Sequence, residues 1–178
     1  SLEATWNYIM TGRTAIRKMN RFPTTTYQSD IGAFIADIEP SGGDSLLRKV
    51  RDFLLDQIEQ APSDALLIAA STKAGVDNLE KIRRGAAADP EDILPGSITK
   101  WVSDGLGLTG RSFHISAACA SSTVAVAQGT ALISSGAEDS VIIFCLDIIT
   151  ESVFSGFSAF QILSPFPCRP FDRDRAGL

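Results

Sequence analysis

The sequence predicts an α/β fold in which a mostly parallel β-sheet carries helices on both faces. Residues 65–70 and 140–147 contain two continuous apolar runs of strand length, the pattern of parallel strands covered on both sides. Helical segments separate these runs from each other and from a third predicted strand at residues 112–117. Strands that alternate with helices in this way are typical of α/β proteins with a parallel sheet.

Two elements are predicted before the first apolar run. Residues 1–10 have apolar side chains near helical spacing and are followed by Gly12, which predicts a short helix closed by a glycine. Residues 27–39 precede the turn Pro40-Ser41-Gly42-Gly43 and favour an irregular or edge strand.

The clearest helix begins at a cap on Asp44 or Ser45 and ends before Pro62. Its apolar stripe consists of Leu46, Leu47, Val50, Phe53, Leu54 and Ile58. Further helices are predicted at residues 75–84, 98–106, 119–135 and 151–163. The helix at 119–135 is rich in Ala, Ser and Gly, which predicts that it is buried in the middle of the molecule.

The composition indicates one sizeable core and an acidic chain. With 178 residues, of which 44% are apolar, we expect one domain or one half of a larger one. The net charge of −5 disfavours nucleic-acid and anionic membrane surfaces, because both require a concentrated basic face. No apolar stretch approaches the roughly 20 residues that span a bilayer. We therefore expect a soluble protein without a nucleic-acid or membrane partner.

The counts of cysteine and histidine narrow the chemistry. Three cysteines in a chain without disulfide-rich composition favour a reducing compartment, so we expect a cytoplasmic protein. The single histidine, His114, excludes zinc sites with several histidine ligands. We expect neither a metal nor a cofactor.

Cys119 is the candidate nucleophile because of its place between a predicted strand and a predicted helix. The helix is expected to begin at this residue, so that the sulfur lies beside unpaired backbone amides at the positive end of the helix dipole. The same amides can donate to the oxyanion that forms when a thioester carbonyl is attacked. A buried packing role for the cysteine is also compatible with the residues alone.

Two motifs point to one enzyme family. The first is Ala118-Cys119-Ala120-Ser121-Ser122, and the second, about 50 residues downstream, is Arg169-Pro170-Phe171-Asp172-Arg173-Asp174-Arg175-Ala176-Gly177. They resemble the active-site cysteine motif and the R-P-F-D-x-D-R-x-G segment of the elongating β-ketoacyl synthases, which act on acyl carrier protein thioesters in fatty-acid and polyketide synthesis. Shorter similarities at Trp6, Leu106-Gly107-Leu108-Thr109-Gly110 and Gly156-Phe157 extend the resemblance over nearly the whole chain.

This resemblance implies a thiolase-like fold of which residues 1–178 are the N-terminal half. Cys119 would accept an acyl group from an acyl carrier protein, and a malonyl thioester would lose carbon dioxide and attack the acyl carbon. The histidines that support decarboxylation belong to the family's C-terminal half. We therefore expect residues 1–178 alone to be inactive in condensation.

The chain departs from the family pattern at three places. The family's opening strand, which would precede residue 1, is absent from the sequence. The family's G-G-x-E element corresponds to Phe144-Cys145-Leu146-Asp147, whose larger side chains alter the expected floor of the pocket. In the loop Ser71-Thr72-Lys73-Ala74-Gly75, Lys73 is either solvated or shortens and polarises the acyl pocket.

Other candidate residues receive structural interpretations. On its strand, His114 is expected to face away from Phe113 and Ile115, as a structural or dimer-surface residue. Cys145 is expected to pack in the core and Cys168 to be exposed. The segment Asp172-Arg173-Asp174-Arg175 is expected to be a salt-bridged turn that holds the floor of the active site.

Other functions remain open at this point. One is a catalytically silent, chain-length-controlling subunit of a ketosynthase heterodimer, in whose known relatives the cysteine is replaced. An unrelated cysteine hydrolase or acyltransferase would need a nearby base, and only His114 is available. A thiolase or an initiating synthase is a nearer alternative.

The resemblance also implies a dimer. In the family, the strand before the nucleophile, here residues 111–117, pairs with its twofold mate. We expect a homodimer, or a heterodimer with a similar subunit, and we expect Ile115→Pro to abolish pairing and solubility.

Overall fold

A computed structural model describes residues 2–35, 37–38, 45–58 and 60–178 of the chain. The chain divides into two compact units. The central unit comprises residues 38–148, and the terminal unit comprises residues 1–37 together with residues 149–178.

In chain order the elements are α1 (Leu2–Met10), β1 (Ile16–Lys18), β2 (Ile31–Ala33), α2 (Leu46–Leu55), β3 (Leu66–Ala70), α3 (Val76–Arg83), a 3-10 turn (Pro90–Ile93), α4 (Pro95–Leu106), β4 (Ser112–Ile115), α5 (Ser121–Ser134), β5 (Val141–Cys145) and α6 (Glu151–Ala159). This alternation of strands and helices confirms the predicted α/β class. Within the described ranges, no helix is both long enough and apolar enough to cross a membrane.

The central unit is built on a parallel three-stranded sheet with the order β4-β3-β5. Every residue of β3 is at most 2% exposed, because the strand has neighbours on both sides and side chains packed on both faces. The side chains of Leu66, Ile68 and Ala70 pack with Ala125 of α5 on one face. Helix α4 contacts β3 and β4 and covers the opposite face. The run at residues 65–70 therefore forms a buried parallel strand, as predicted. The run at residues 140–147 forms the parallel edge strand β5, in which only Phe144 is buried, so its predicted burial holds only in part.

Helix α2 confirms the predicted cap but only part of the predicted stripe. The Ser45 hydroxyl accepts from the Arg48 amide at 3.4 Å, whereas Asp44 and the turn at residues 40–43 lie outside the described residues. The first turns of the helix bury Leu46, Leu47 and Val50. Phe53 is 43% exposed, so its predicted burial is wrong. The helix ends at Leu55, and the second half of its apolar stripe is less buried than the first half.

Helix α5 packs on one side only. Its buried residues are Ser121, Ala125 and Gly129, which lie four apart and form one ridge against β3 and β5. Val124 and Val126 on other sides of the helix are 41% and 52% exposed. Within residues 1–178 the helix is therefore not buried in the middle of the molecule as predicted, because its small residues serve a single close contact with the sheet.

Strand β4 lies at one edge of this sheet. The carbonyls of Arg111 and Ile115 accept from the amides of Leu67 and Ser71, so the backbone groups of these residues point towards β3. Because successive residues of a strand point to opposite sides, the outward groups belong to Ser112 and His114. Ile115→Pro would therefore break the bond to β3 and not the outer edge, which corrects the predicted effect of that substitution.

The terminal unit contains a short antiparallel hairpin. Ile16 of β1 pairs with Ala33 of β2, and β2 lies within the predicted irregular strand, whose Ala36 and Glu39 are outside the described residues. Phe154 of α6 makes edge contacts with Phe22 and Tyr27 at ring-centroid distances of 5.4 and 5.3 Å. The three-residue strand β1 carries too short a pattern to be recognised in the sequence.

Candidate active site

Cys119 lies in the tight turn that joins β4 to α5. Its side chain is exposed, and the preceding residue, Ala118, has a φ of +49°, in the left-handed region that alanine seldom occupies. Helix α5 begins at Ser121, so the prediction that a helix begins at the cysteine is wrong by two residues. The residues after Ala118 first close a tight turn, and the first helical bond runs from the Val124 amide to the Ala120 carbonyl.

Ser121 holds this turn from the helix side. Its hydroxyl oxygen accepts from the Ala117 amide at 2.9 Å, and its hydroxyl donates to the Ala118 carbonyl at 2.7 Å. The residue is 5% exposed, so water competes little with these bonds. The second residue after the cysteine therefore fixes the shape of the turn.

Two amides near Cys119 already donate within the turn. The Ala120 N–H donates to the Ala117 carbonyl and the Ser121 N–H to the Ala118 carbonyl, each at 3.1 Å. The expectation that the first helical amides serve an oxyanion is wrong for these two. The N–H of Cys119 shares a planar trans peptide with the Ala118 carbonyl and points the opposite way. This N–H is the donor beside the sulfur that the geometry offers to an oxyanion.

Asp147 connects the loop after β3 to the turn that carries Cys119. Its carboxylate accepts from the Ser71 hydroxyl at 3.1 Å, from the Thr72 amide at 3.1 Å and from the Lys73 amide at 3.2 Å. The Thr72 hydroxyl in turn donates to the Ala118 carbonyl at 2.9 Å. Sequence reasoning noted Asp147 only as a departure from the family pattern. The available signal was that polar residues follow the carboxyl ends of two adjacent parallel strands.

A depression of about 210 Å³ opens beside Cys119. It is lined by Ala70, Ala118, Cys119, Ser121, Ser122, Cys145, Leu146 and Asp147. Two larger cavities of the central unit, of about 390 and 480 Å³, lie against α2 and against β4 and α5, away from this cysteine. We take the smaller depression as the candidate site because it contains an exposed thiol.

Cys145 lines the same depression and also packs against the core cluster under α5. Its predicted packing role is confirmed, but its place beside Cys119 was missed. Burial raises the pKa of the Cys145 thiol, and the negative charge of Asp147 acts in the same direction. Cys145 is therefore held as a neutral thiol, which leaves the exposed Cys119 as the stronger nucleophile of the two.

His114 has a shielded environment. Burial lowers the pKa of its imidazole, although the negative charge of Asp147 partly opposes this effect. Its Nε2 atom is buried and has no hydrogen-bond partner within the part of the chain that the structure describes. These properties favour the structural role expected for His114 over that of a base.

The segment at residues 169–175 forms a turn in the terminal unit. The Arg169 guanidinium lies 3.7 Å from the Asp172 carboxylate and donates to the Asp174 carbonyl at 2.5 Å. The Asp172 carboxylate also accepts from the Asp174 amide at 2.7 Å. The predicted salt-bridged turn is present, and its role under the active site stays a prediction. Cys168, directly before it, is exposed as expected.

Among the described side chains, no three of His, Cys, Asp or Glu come together as a metal site would require.

Comparison with known proteins connects this site to a family. Residues 50–178 match the family model described as Beta-ketoacyl synthase, N-terminal domain. The chain is 32% identical over 108 residues to Nodulation protein E of Rhizobium sp. (strain N33), covering 56% of this chain and 25% of that protein. It is 34% identical over 86 residues to Nodulation protein E of Rhizobium leguminosarum bv. trifolii, covering 48% of this chain and 21% of that protein.

A solved structure shares the fold. The crystal structure of a beta-ketoacyl synthase from Burkholderia phymatum matches 100% of this chain and 52% of its own, with a TM-score of 0.69 and 19% identity. The thiolase-like α/β fold expected from the sequence is thereby confirmed. The chain spans about a quarter of the curated relatives it matches and about half of the solved structure. It belongs to the family of β-ketoacyl synthase N-terminal domains.

Proposed function

We propose that residues 1–178 are the N-terminal half of a condensing enzyme and that Cys119 is its acyl-accepting nucleophile. The observation that carries this proposal is the exposed thiol in a fixed turn, with its own amide beside it and a depression in front of it. Family membership supports the same chemistry. The complete protein is then an acyltransferase that acts on carrier-protein thioesters.

The proposed reaction has two steps. The Cys119 thiolate attacks the carbonyl of an acyl thioester, the Cys119 N–H stabilises the oxyanion, and the carrier thiol leaves. A malonyl carrier-protein thioester then loses carbon dioxide, and the resulting carbanion attacks the acyl carbon and releases the cysteine. The products are a β-ketoacyl thioester and carbon dioxide. His114 is a poor source of the groups that promote decarboxylation because its Nε2 is buried, so we assign those groups to the C-terminal half.

The proposed partners and location follow from this chemistry. An acyl carrier protein delivers both thioesters, and the acyl group enters the depression beside Cys119. The free state of Cys119, Cys145 and Cys168 supports a reducing, cytoplasmic environment.

A dimer through β4 is part of the proposal. The strand lies at the sheet edge, and its outward groups at Ser112 and His114 are suited to pairing with a second copy or a similar subunit. Ser112→Pro should separate the subunits, because proline at an outward position removes a donor from the edge and leaves the bonds to β3 intact. Sedimentation of the complete protein at micromolar concentration tests this. A wild-type monomer with full activity would contradict the dimer and leave the fold unaffected.

The second candidate is a catalytically silent subunit of a ketosynthase heterodimer. It is favoured by Cys145, which lines the depression at a position where the family pattern has a glycine. Such a subunit would not turn over even if its cysteine were acylated.

Intact-mass spectrometry of the complete protein with an acyl thioester distinguishes these possibilities. We expect wild type and Cys168→Ala, which removes another exposed cysteine, to gain one acyl group and Cys119→Ala to gain none. Equal acylation of all three would refute the nucleophile. Acylation of Cys119 without β-ketoacyl product, in the presence of malonyl carrier protein, would favour the silent subunit.

A further inference from the structure

The peptide bond between Ala118 and Cys119 is held through its carbonyl oxygen. That oxygen accepts three hydrogen bonds, from the Ser121 amide, from the Ser121 hydroxyl and from the Thr72 hydroxyl. Because the peptide is planar and trans, the direction of its C=O fixes the direction of its N–H. The three donors therefore decide where the Cys119 N–H points.

Of these three donors, the Thr72 hydroxyl is the one that lies outside the turn. Thr72 is a half-buried residue in the loop after β3, where no strand or helix fixes the backbone. Its own amide donates to Asp147, as do the neighbouring Ser71 hydroxyl and Lys73 amide. Asp147 thus fixes the loop backbone, and this holds the Thr72 hydroxyl in one position.

We infer that Thr72 is a positioning residue for the Cys119 amide and that Asp147 acts through Thr72. This inference rests on the proposed role of Cys119 as the nucleophile. A hydrogen bond to the carbonyl oxygen of a peptide also polarises its N–H, so the Thr72 hydroxyl makes that N–H a stronger donor. The hydrogen bonds from the loop to Asp147 and from Thr72 to the Ala118 carbonyl, which we call the relay, therefore orient the Cys119 N–H. They also make it a stronger donor to an oxyanion.

Two reactions of Cys119 separate this role from a merely structural one. Attack on a thioester carbonyl creates an oxyanion and needs the amide. Alkylation by iodoacetamide forms a carbon–sulfur bond and releases iodide at a tetrahedral carbon, so it creates no oxyanion. Loss of the relay should slow the first reaction and spare the second, whereas a general loosening of the turn would change both.

The experiment uses the complete protein and the acetyl and hexanoyl thioesters of N-acetylcysteamine. Thr72→Val removes the hydroxyl at constant volume, and we expect acylation of Cys119 to slow about tenfold while alkylation stays within about twofold. Thr72→Ser should restore most of the acylation rate. Thr109→Val is the matched control, because its hydroxyl also donates to a carbonyl, that of Ser63, but lies outside the site.

Asp147→Asn is the second variant, because it weakens the bonds that hold the loop backbone and leaves the Thr72 side chain unchanged. We expect it to slow acylation more than alkylation as well. Acylation at the wild-type rate in either variant, or an equal fall of both reactions, would overturn the inference. Acylation that persists in Cys119→Ala would instead refute the proposed nucleophile, so the two failures are distinguishable.

Discussion

Ser121→Ala should loosen the turn that carries Cys119, and the structure sets the size of the effect. The substitution removes a bond of 2.9 Å from the Ala117 amide and a bond of 2.7 Å to the Ala118 carbonyl. Because Ser121 is 5% exposed, the Ala117 N–H loses its partner in a place that water reaches poorly. Leaving a shielded donor unsatisfied costs about 2 kcal/mol. The free energy of local opening of the turn should fall by that amount.

Hydrogen exchange measured by mass spectrometry on peptides that contain Ala117 tests this value. A fall of about 2 kcal/mol in the opening free energy corresponds to exchange about 30-fold faster at that amide. Ser135→Ala is the control, because its hydroxyl donates to the Leu132 carbonyl at the exposed far end of the same helix. Exchange at Ala117 that changes less than about threefold, or that changes equally in the control, would refute the reasoning.

Three further predictions concern stability, each measured as the urea midpoint of the complete protein. The folded-state pKa of His114 lies below its unfolded value near 6.5, so the unfolded state takes up the proton first as pH falls. Lowering the pH from about 7.5 to 5.5 should therefore destabilise wild type more than His114→Gln. An equal loss of stability in both proteins would contradict this. Gly129→Leu should lower the free energy of unfolding by about 1–3 kcal/mol, because a Cβ at this position would already lie 3.1 Å from a side chain of β5. Gly156→Ala should raise it by about 0.5–1 kcal/mol, because a Cβ there has nothing within 4 Å. Effects of the same sign would refute the contrast. Asp92→Ala should lower the free energy of unfolding by about 2 kcal/mol, since Asp92 is buried and forms an ion pair at 2.7 Å with a half-exposed Arg48. An unchanged stability would mean that solvent replaces the ion pair.

The elements that the sequence predicted are those with a strong local signal. Strand β3 is a continuous apolar run because both of its faces are covered, and this pattern is visible without any knowledge of partners. The similar run of β5 predicts a strand as well, but most of its residues are only half-buried. The cap of α2 at Ser45 and the turn at Cys119 are likewise predicted by neighbouring residues in the sequence. Cys119 could be selected as the candidate nucleophile because a strand, small residues and a helix occur in direct succession.

The parts that escaped prediction depend on contacts between distant residues. The bond between the Thr72 amide and Asp147 joins positions 75 residues apart, and no periodicity encodes it. The exposure of Val124 and Val126 on α5 could not be inferred, because small residues predict close packing without saying on how many sides. The later start of α5 comes from the tight turn at residues 117–121, and no pattern of neighbouring residues predicts the length of that turn.

The strand order explains why the loop after β3 connects the parts of the site. With the order β4-β3-β5, the carboxyl ends of the three strands lie side by side, and the loop after β3 is in the middle. Cys119 follows β4 on one side and Asp147 follows β5 on the other, and Ser71 and Thr72 between them link the two sides by hydrogen bonds. The side chain at Cys145 changes the wall of the depression without breaking this connection, because the residue that anchors the loop lies two positions further on. If the proposed function holds, a change in the accepted acyl group and a change in the positioning of Cys119 should therefore be separable by mutation, the first at Cys145 and the second at Thr72.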